Sequence, residues 1–268
     1  MERLNLRSSK GLLETAVIVW FIVAVFGQLI FATYTILFYG KATLSGQLEK
    51  WNEALPKGYL EGDSMGNGIV GMHLLLTAII IMGGPLQLIP KLRNYARTFH
   101  RWNGRLYTAI AMIMSVGGFY MVWVRGSIGG MAQHISISIN AVLIMIASIF
   151  VIREARNHNF HKHRIWAIRL FLFVNGVWFF RVGLFFWLFL HQAPVGFDPN
   201  TFQGPLLTIL SVSQYLVPLA LFELYLTSQR SNHNVLTYVT AMLIMLFTLM
   251  MTIGIVSISQ SVWIPRMN

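Results

Sequence analysis

Long apolar runs, broken by short polar segments, fill the chain from end to end. Seven of them are long enough to cross the hydrocarbon of a bilayer, which takes roughly 20 residues of helix. They cover residues 12–38, 69–89, 102–124, 131–152, 165–190, 205–226 and 235–257. In lipid, backbone polar groups must be satisfied within the segment itself, so runs of this kind predict helices. The fold class is therefore all-α integral membrane, with about seven transmembrane helices. Runs 2–5, residues 69–190, form a central four-helix core of a single membrane domain, 1–268. The second run is the shortest and is closed by Pro85 and Pro90. The breaks are short except for 39–68, which carries three Lys and four Asp or Glu and reads as an extracytoplasmic loop.

Composition agrees with this pattern. Hydrophobic residues make up 56% and charged residues 11%, against roughly 25% charged in soluble domains. The net charge of +11 points to anionic lipid as the partner, and no nucleic acid is implied. Fourteen of the twenty Lys and Arg fall on one set of breaks: Arg3, Arg7, Lys10, Lys91, Arg93, Arg97, Arg101, Arg105, Arg153, Arg156, Lys162, Arg164, Arg169 and Arg230. The opposite set holds Lys41, Lys50, Lys57, Arg125 and Arg266. The richer side is expected to be cytoplasmic, which places the N-terminus inside and the C-terminus outside. The first run is too long for a signal h-region, so it reads as a retained helix. The chain has no cysteine, which excludes disulfides, thiolate metal sites and iron–sulfur clusters.

Candidate chemistry gathers on histidine. His73 and His134 open the second and fourth runs, and His100 and His163 open the third and fifth. One pair therefore lies near each leaflet, and each pair comes from alternate, parallel helices. Two imidazoles on facing helices can supply both axial ligands of a non-covalently held b haem. His161 is a rival inner ligand and His191 a rival outer one, while His158 and His233 fall in loops. Histidines 100 and 163 also suit a bland role at an Arg-rich interface. Gly83, Gly84, Gly117, Gly118 and Gly183 lie at matching depths, where a macrocycle needs small neighbours; close helix packing explains glycines equally well. Arg105 and Arg169 follow their histidines and can neutralise propionates or snorkel to headgroups. Arg181 interrupts an apolar run and needs a partner; a propionate, a quinone carbonyl and Glu223 are candidates. Glu14 and Gln87 read as interfacial.

Two segments echo one another. His100-Arg101-Trp102-Asn103-Gly104-Arg105-Leu106-Tyr107 and His163-Arg164-Ile165-Trp166-Ala167-Ile168-Arg169-Leu170-Phe171 share His-Arg, then Trp, then Arg-Leu-aromatic. Duplication of a helical hairpin and chance similarity both account for this.

The stretch from His73 to about Leu190, with Gly84-Pro85-Leu86-Gln87-Leu88 and the two His-Arg motifs, resembles a bacterial membrane family known as domain of unknown function 2306. The histidine layout also resembles cytochrome b-561-type di-haem proteins, though this chain has a seventh span and no recognisable ascorbate site. That resemblance implies ligation by His73 with His134 and by His100 with His163. The expectation is a b-type cytochrome of the bacterial inner membrane, binding two haems or one. It would pass electrons between a redox partner protein and possible quinol. Two other readings stand beside it: a non-redox transporter using Arg181 and Glu223, and an accessory or assembly subunit of a larger membrane complex.

Overall fold

The computed structural model describes residues 2–267, with side chains from Ser8 onward. Arg3 and Arg7, counted above among the N-terminal cations, lie outside the described side chains. The described residues form helices: α1 (Glu2–Tyr34), α2 (Gly40–Leu44), α3 (Ser64–Leu88), α4 (Pro90–Tyr95), α5 (Arg97–Trp123) and α6 (Met131–Arg156). After these come α7 (Phe160–Val174), α8 (Gly176–His191), α9 (Pro205–Arg230), α10 (Asn234–Ile258) and α11 (Ile264–Met267). Wide π turns at Thr35–Tyr39 and Ser259–Trp263 continue α1 and α10.

Six helical stretches are long and apolar enough to cross a membrane without a break. The fifth sequence run is different. It splits at Asn175 into α7 and α8, whose axes bend by 52°. A bend of that size leaves both halves running onward. The pairing of the outer helices agrees: Ser9 Oγ bonds Asn234 Oδ1 at one end, and Phe31 meets Trp263 at the other, with ring centroids 5.2 Å apart. Helices α1 and α10 thus run in the same sense, which requires an odd number of crossings. The bent pair is therefore one broken span, and the bundle has seven.

Prolines act differently from the sequence expectation. Pro85 lies buried inside α3 without ending it. Pro90 is the terminator, because the residue before a proline is pushed out of the helical region; Ile89 is extended (φ −79°, ψ 110°).

Residues 45–63 fold over one end of the bundle, here called the cap face; the other is the basic face. The cap is built from side-chain clamps. Asn52 bonds both the N–H and the carbonyl of Tyr59, and Asn67 does the same for Leu60. Asp63 caps α3 by accepting from the Gly66 N–H at 2.9 Å. Trp51 is buried against Gly71, where a Cβ would come within 3.1 Å of the indole.

Candidate functional site

The four singled-out histidines lie on α3 (His73), α5 (His100), α6 (His134) and α7 (His163). Helix α3 packs on α5, α5 on α6, and α6 on α7. His73 and His134 come from helices one apart in that series, and so do His100 and His163.

The basic-face pair is held by short polar contacts. Gln87 Nε2 donates to the His100 carbonyl at 3.2 Å, and Asn103 Nδ2 to the Gly83 carbonyl at 2.9 Å. These bonds tie the start of α5 to the end of α3. The His100 Nδ1 is buried and has no hydrogen-bond partner; the buried Tyr107 hydroxyl, two turns along α5, has none either. His163 enters the first turn of α7, where Asn159 accepts from the Lys162 N–H. Its Nδ1 lies 3.0 Å from the Val151 carbonyl. A carbonyl only accepts, so Nδ1 carries the hydrogen and Nε2 keeps its lone pair. The His163 imidazole is near enough to His100 to act on it electrostatically.

On the cap-face side, His73 Nδ1 is shielded and unbonded. It faces Gly117, where a Cβ would stand 3.9 Å away. His134 Nε2 lies 3.2 Å from both the carbonyl and the hydroxyl of Ser127, so either tautomer is satisfied there. Trp123 meets the His134 ring edge-on, with centroids 6.0 Å apart.

The glycines divide. Gly117 lies beside His73, and Gly118 faces open space. Gly84 instead admits protein: Tyr107 and Phe171 would stand 2.9 and 3.2 Å from a Cβ there. Gly183 faces Leu210.

Among the rival histidines, His158, His161 and His233 are exposed. His191 stacks on Trp187 with centroids 3.9 Å apart and places Nδ1 near that residue's carbonyl.

The arginines do not pair as weighed from sequence. Glu223 accepts two bonds from Arg169, at 2.9 and 2.7 Å, and not from Arg181. Arg169 also lies 4.6 Å over the Trp166 ring. The cause is the break at Asn175: Arg169 lies on the α7 side of it and Arg181 on the α8 side. Arg181 sits 5.1 Å over Phe31, within electrostatic reach of His73 and Tyr39. Arg105 is exposed and lies over the exposed Trp102.

Sequence reasoning missed Arg125, which it counted only as a loop cation. Its side chain is 3% exposed. It donates to Asp63 Oδ2 at 2.8 Å, Asn67 Oδ1 at 2.7 Å, and the carbonyls of Lys57 and Gly58 at 2.7 and 3.1 Å. No local motif signals a contact that spans some sixty residues.

The family described as predicted membrane protein (DUF2306) matches residues 70–226, more than half of the chain. The chain belongs to this family. No curated protein and no solved structure matches it. The DUF2306 region runs from α3 into α9 and includes all four histidines, Arg105, Arg169, Arg181 and Glu223.

Chemically, the four imidazoles of this DUF2306 protein share one property. Each keeps at least one ring nitrogen unbonded to protein, and His163 keeps the other on a backbone carbonyl. That carbonyl bond is the arrangement that orients a ligating histidine. Among the described residues no three or more His, Cys, Asp or Glu converge. What these residues offer is ring nitrogens that no protein group occupies. A groove of about 690 Å³ between the cap-face ends of α8 and α10 touches none of the four.

Proposed function

We propose that this protein is a transmembrane b-type cytochrome that moves electrons within or across the bilayer, with its basic face cytoplasmic. One observation carries the reading. His100 and His163, on α5 and α7, are electrostatic neighbours, and His163 is turned by its bond to the Val151 carbonyl so that Nε2 is available. The orphaned His100 Nδ1 fits the same role, because a buried polar nitrogen without a partner is costly unless something binds it. These two histidines would hold one haem b, and His73 with His134 a second.

When bound, haem b supplies a one-electron iron couple whose potential depends on ligands and burial. The chain's own residues do the rest. The Val151 carbonyl fixes the His163 tautomer. Apolar helices shield the His73 imidazole. The Arg181 guanidinium places positive charge beside His73. Arg169 is engaged by Glu223, so Arg181 is the better placed of the two to meet an anionic group such as a propionate. A quinol or a redox protein would be the exchange partner.

The test is the visible spectrum of purified protein expressed with ample haem. A sharp reduced-minus-oxidised band is expected, with iron at one or two per chain. His163→Ala and His100→Ala should remove the basic-face component, and His73→Ala the cap-face one. A colourless protein under these conditions defeats the proposal.

A further inference from the structure

Apart from the histidines, the chain buries a second polar cluster at the break between α7 and α8. A helix end has fewer backbone donors for its last carbonyls; here the Asn175 N–H still reaches the Phe171 and Phe173 carbonyls, and side chains add to both. Asn175 Nδ2 donates to the Phe171 carbonyl at 2.8 Å, and Asn140 Nδ2, from α6, to the Phe173 carbonyl at 3.1 Å. Gln28 reaches in from α1, its Nε2 donating to Asn175 Oδ1 at 3.0 Å. Gln28, Asn140 and Asn175 are 1%, 4% and 3% exposed.

These bonds fix every amide orientation. Backbone carbonyls only accept, so the nitrogens of Asn175 and Asn140 must face them. Asn175 Oδ1 must then accept, and Gln28 must turn its nitrogen toward it. Two carboxamide oxygens remain, Gln28 Oε1 and Asn140 Oδ1, both buried and both without a donor. The Trp178 indole on the next turn does not meet them, since its N–H is also unpartnered. Gly176 marks how tightly Asn140 sits in the break: a Cβ there would come within 2.8 Å of Asn140 Nδ2.

We infer that this break is a binding site for a monovalent cation, with sodium the preferred ion. The argument is one of donor chemistry. The break holds two unpartnered carboxamide oxygens against one unpartnered indole N–H, so its surplus is of acceptors. Broken membrane helices elsewhere use freed carbonyls and half-helix C-termini to hold Na⁺. Every oxygen here is neutral, and no carboxylate is among them. A divalent ion would leave its charge uncompensated at membrane depth, whereas a single charge is better matched. The cation would join α1, α6 and the α7–α8 break, and so fix the bend that separates Arg169 from Arg181. The inference is independent of haem: Gln28, Asn140 and Asn175 include no proposed haem ligand.

The experiment uses the full chain in detergent, with its melting temperature read in NaCl, KCl and choline chloride at equal ionic strength. Sodium should raise it saturably by roughly 5 °C over choline, and potassium by less. Gln28→Leu and Asn140→Leu should each abolish the sodium dependence. Gln28→Glu, which keeps an oxygen and adds charge, should retain the dependence and shift it to lower sodium, which separates loss of the site from loss of the fold. Equal melting in all three salts, or unchanged sodium dependence in the leucine variants, overturns the inference and leaves water as the partner of these oxygens. Neither result bears on the visible spectrum, so the two proposals fail separately.

Discussion

Arg125 and Arg181 both lie in the cap-face half of the bundle, yet their surroundings are opposite. Arg125 is satisfied by one carboxylate, one carboxamide and two backbone carbonyls. Arg181 meets an aromatic face and no carboxylate among the described residues. Backbone explains the contrast. Arg125 follows the end of α5, where the cap brings carbonyls that no helix uses. Arg181 sits inside α8, where neighbouring carbonyls are already bonded along their own helices. A guanidinium at a span's end can thus be bound by loops, whereas one within a span must wait for a side chain or a ligand.

The largest effect that can break this comparison is Arg125→Met. It removes the four hydrogen bonds that Arg125 makes to the cap, so a loss of about 3 kcal/mol is expected at roughly 1 kcal/mol each, less the relief of a partly exposed Asp63. Thermal unfolding would measure it, and protease cleavage within 57–68 should rise with it. A loss below about 1 kcal/mol, the range of exposed pairs, would mean that the cap is held by Trp51 and the asparagine clamps instead.

Next comes Gly254→Ala. A Cβ there collides with the Val182 carbonyl oxygen, which is backbone and cannot swing aside. Forcing α8 from α10 should cost about 2 kcal/mol, as overpacking does. Because Val182 adjoins Arg181, a melting temperature equal to wild type would show that α8 is free to shift and that the setting of Arg181 is not rigid.

Arg181→Met sharpens the contrast directly. Only a cation–π contact is lost, so the haem-free protein should change by about 1 kcal/mol or less. A cost equal to that of Arg125→Met would reveal an anionic partner. A large cost confined to haem-loaded protein would identify that partner as a propionate.

Glu223→Gln should have a smaller effect, under about 1 kcal/mol, because Arg169 and Glu223 are 22% and 44% exposed and solvent screens them. Thermal unfolding at low and high salt checks it; a large, salt-independent loss would place the pair in a drier setting than Arg181.

Smallest of all is a pH effect in the 192–204 connection. The Asn200 N–H and the Thr201 hydroxyl hold the Asp198 carboxyl below its ordinary range. A depressed carboxylate contributes stability above its unfolded pKa and loses it as pH falls through the folded value. The turn should therefore loosen only below about pH 4, seen as a shift of the Thr201 resonance. Loosening near neutrality would contradict it.

Before any of these measurements, the sequence already carried the family and the apolar runs, although the match reaches beyond Leu190 to residue 226. The approach of Gly117 to His73 follows from counting residues at 1.5 Å each. Other features were out of reach. Gln28, Asn140 and Asn175 are single carboxamides in apolar runs. Nothing in those stretches says that three amides from three helices share one break. Gly84 shows the limit of a depth argument: at the expected height, the space beside it is filled by Tyr107 and Phe171.

By itself, the sequence determined that this chain is a multi-pass helical membrane protein, because lipid forces any long apolar segment to close its own hydrogen bonds. Only the tertiary structure decided which polar groups meet. It gave Glu223 to Arg169, gave the cap to Arg125, broke the fifth span at Asn175, and left one ring nitrogen free on each histidine. Hydropathy adds along a line, while pairing depends on which side chains the packed helices turn toward each other.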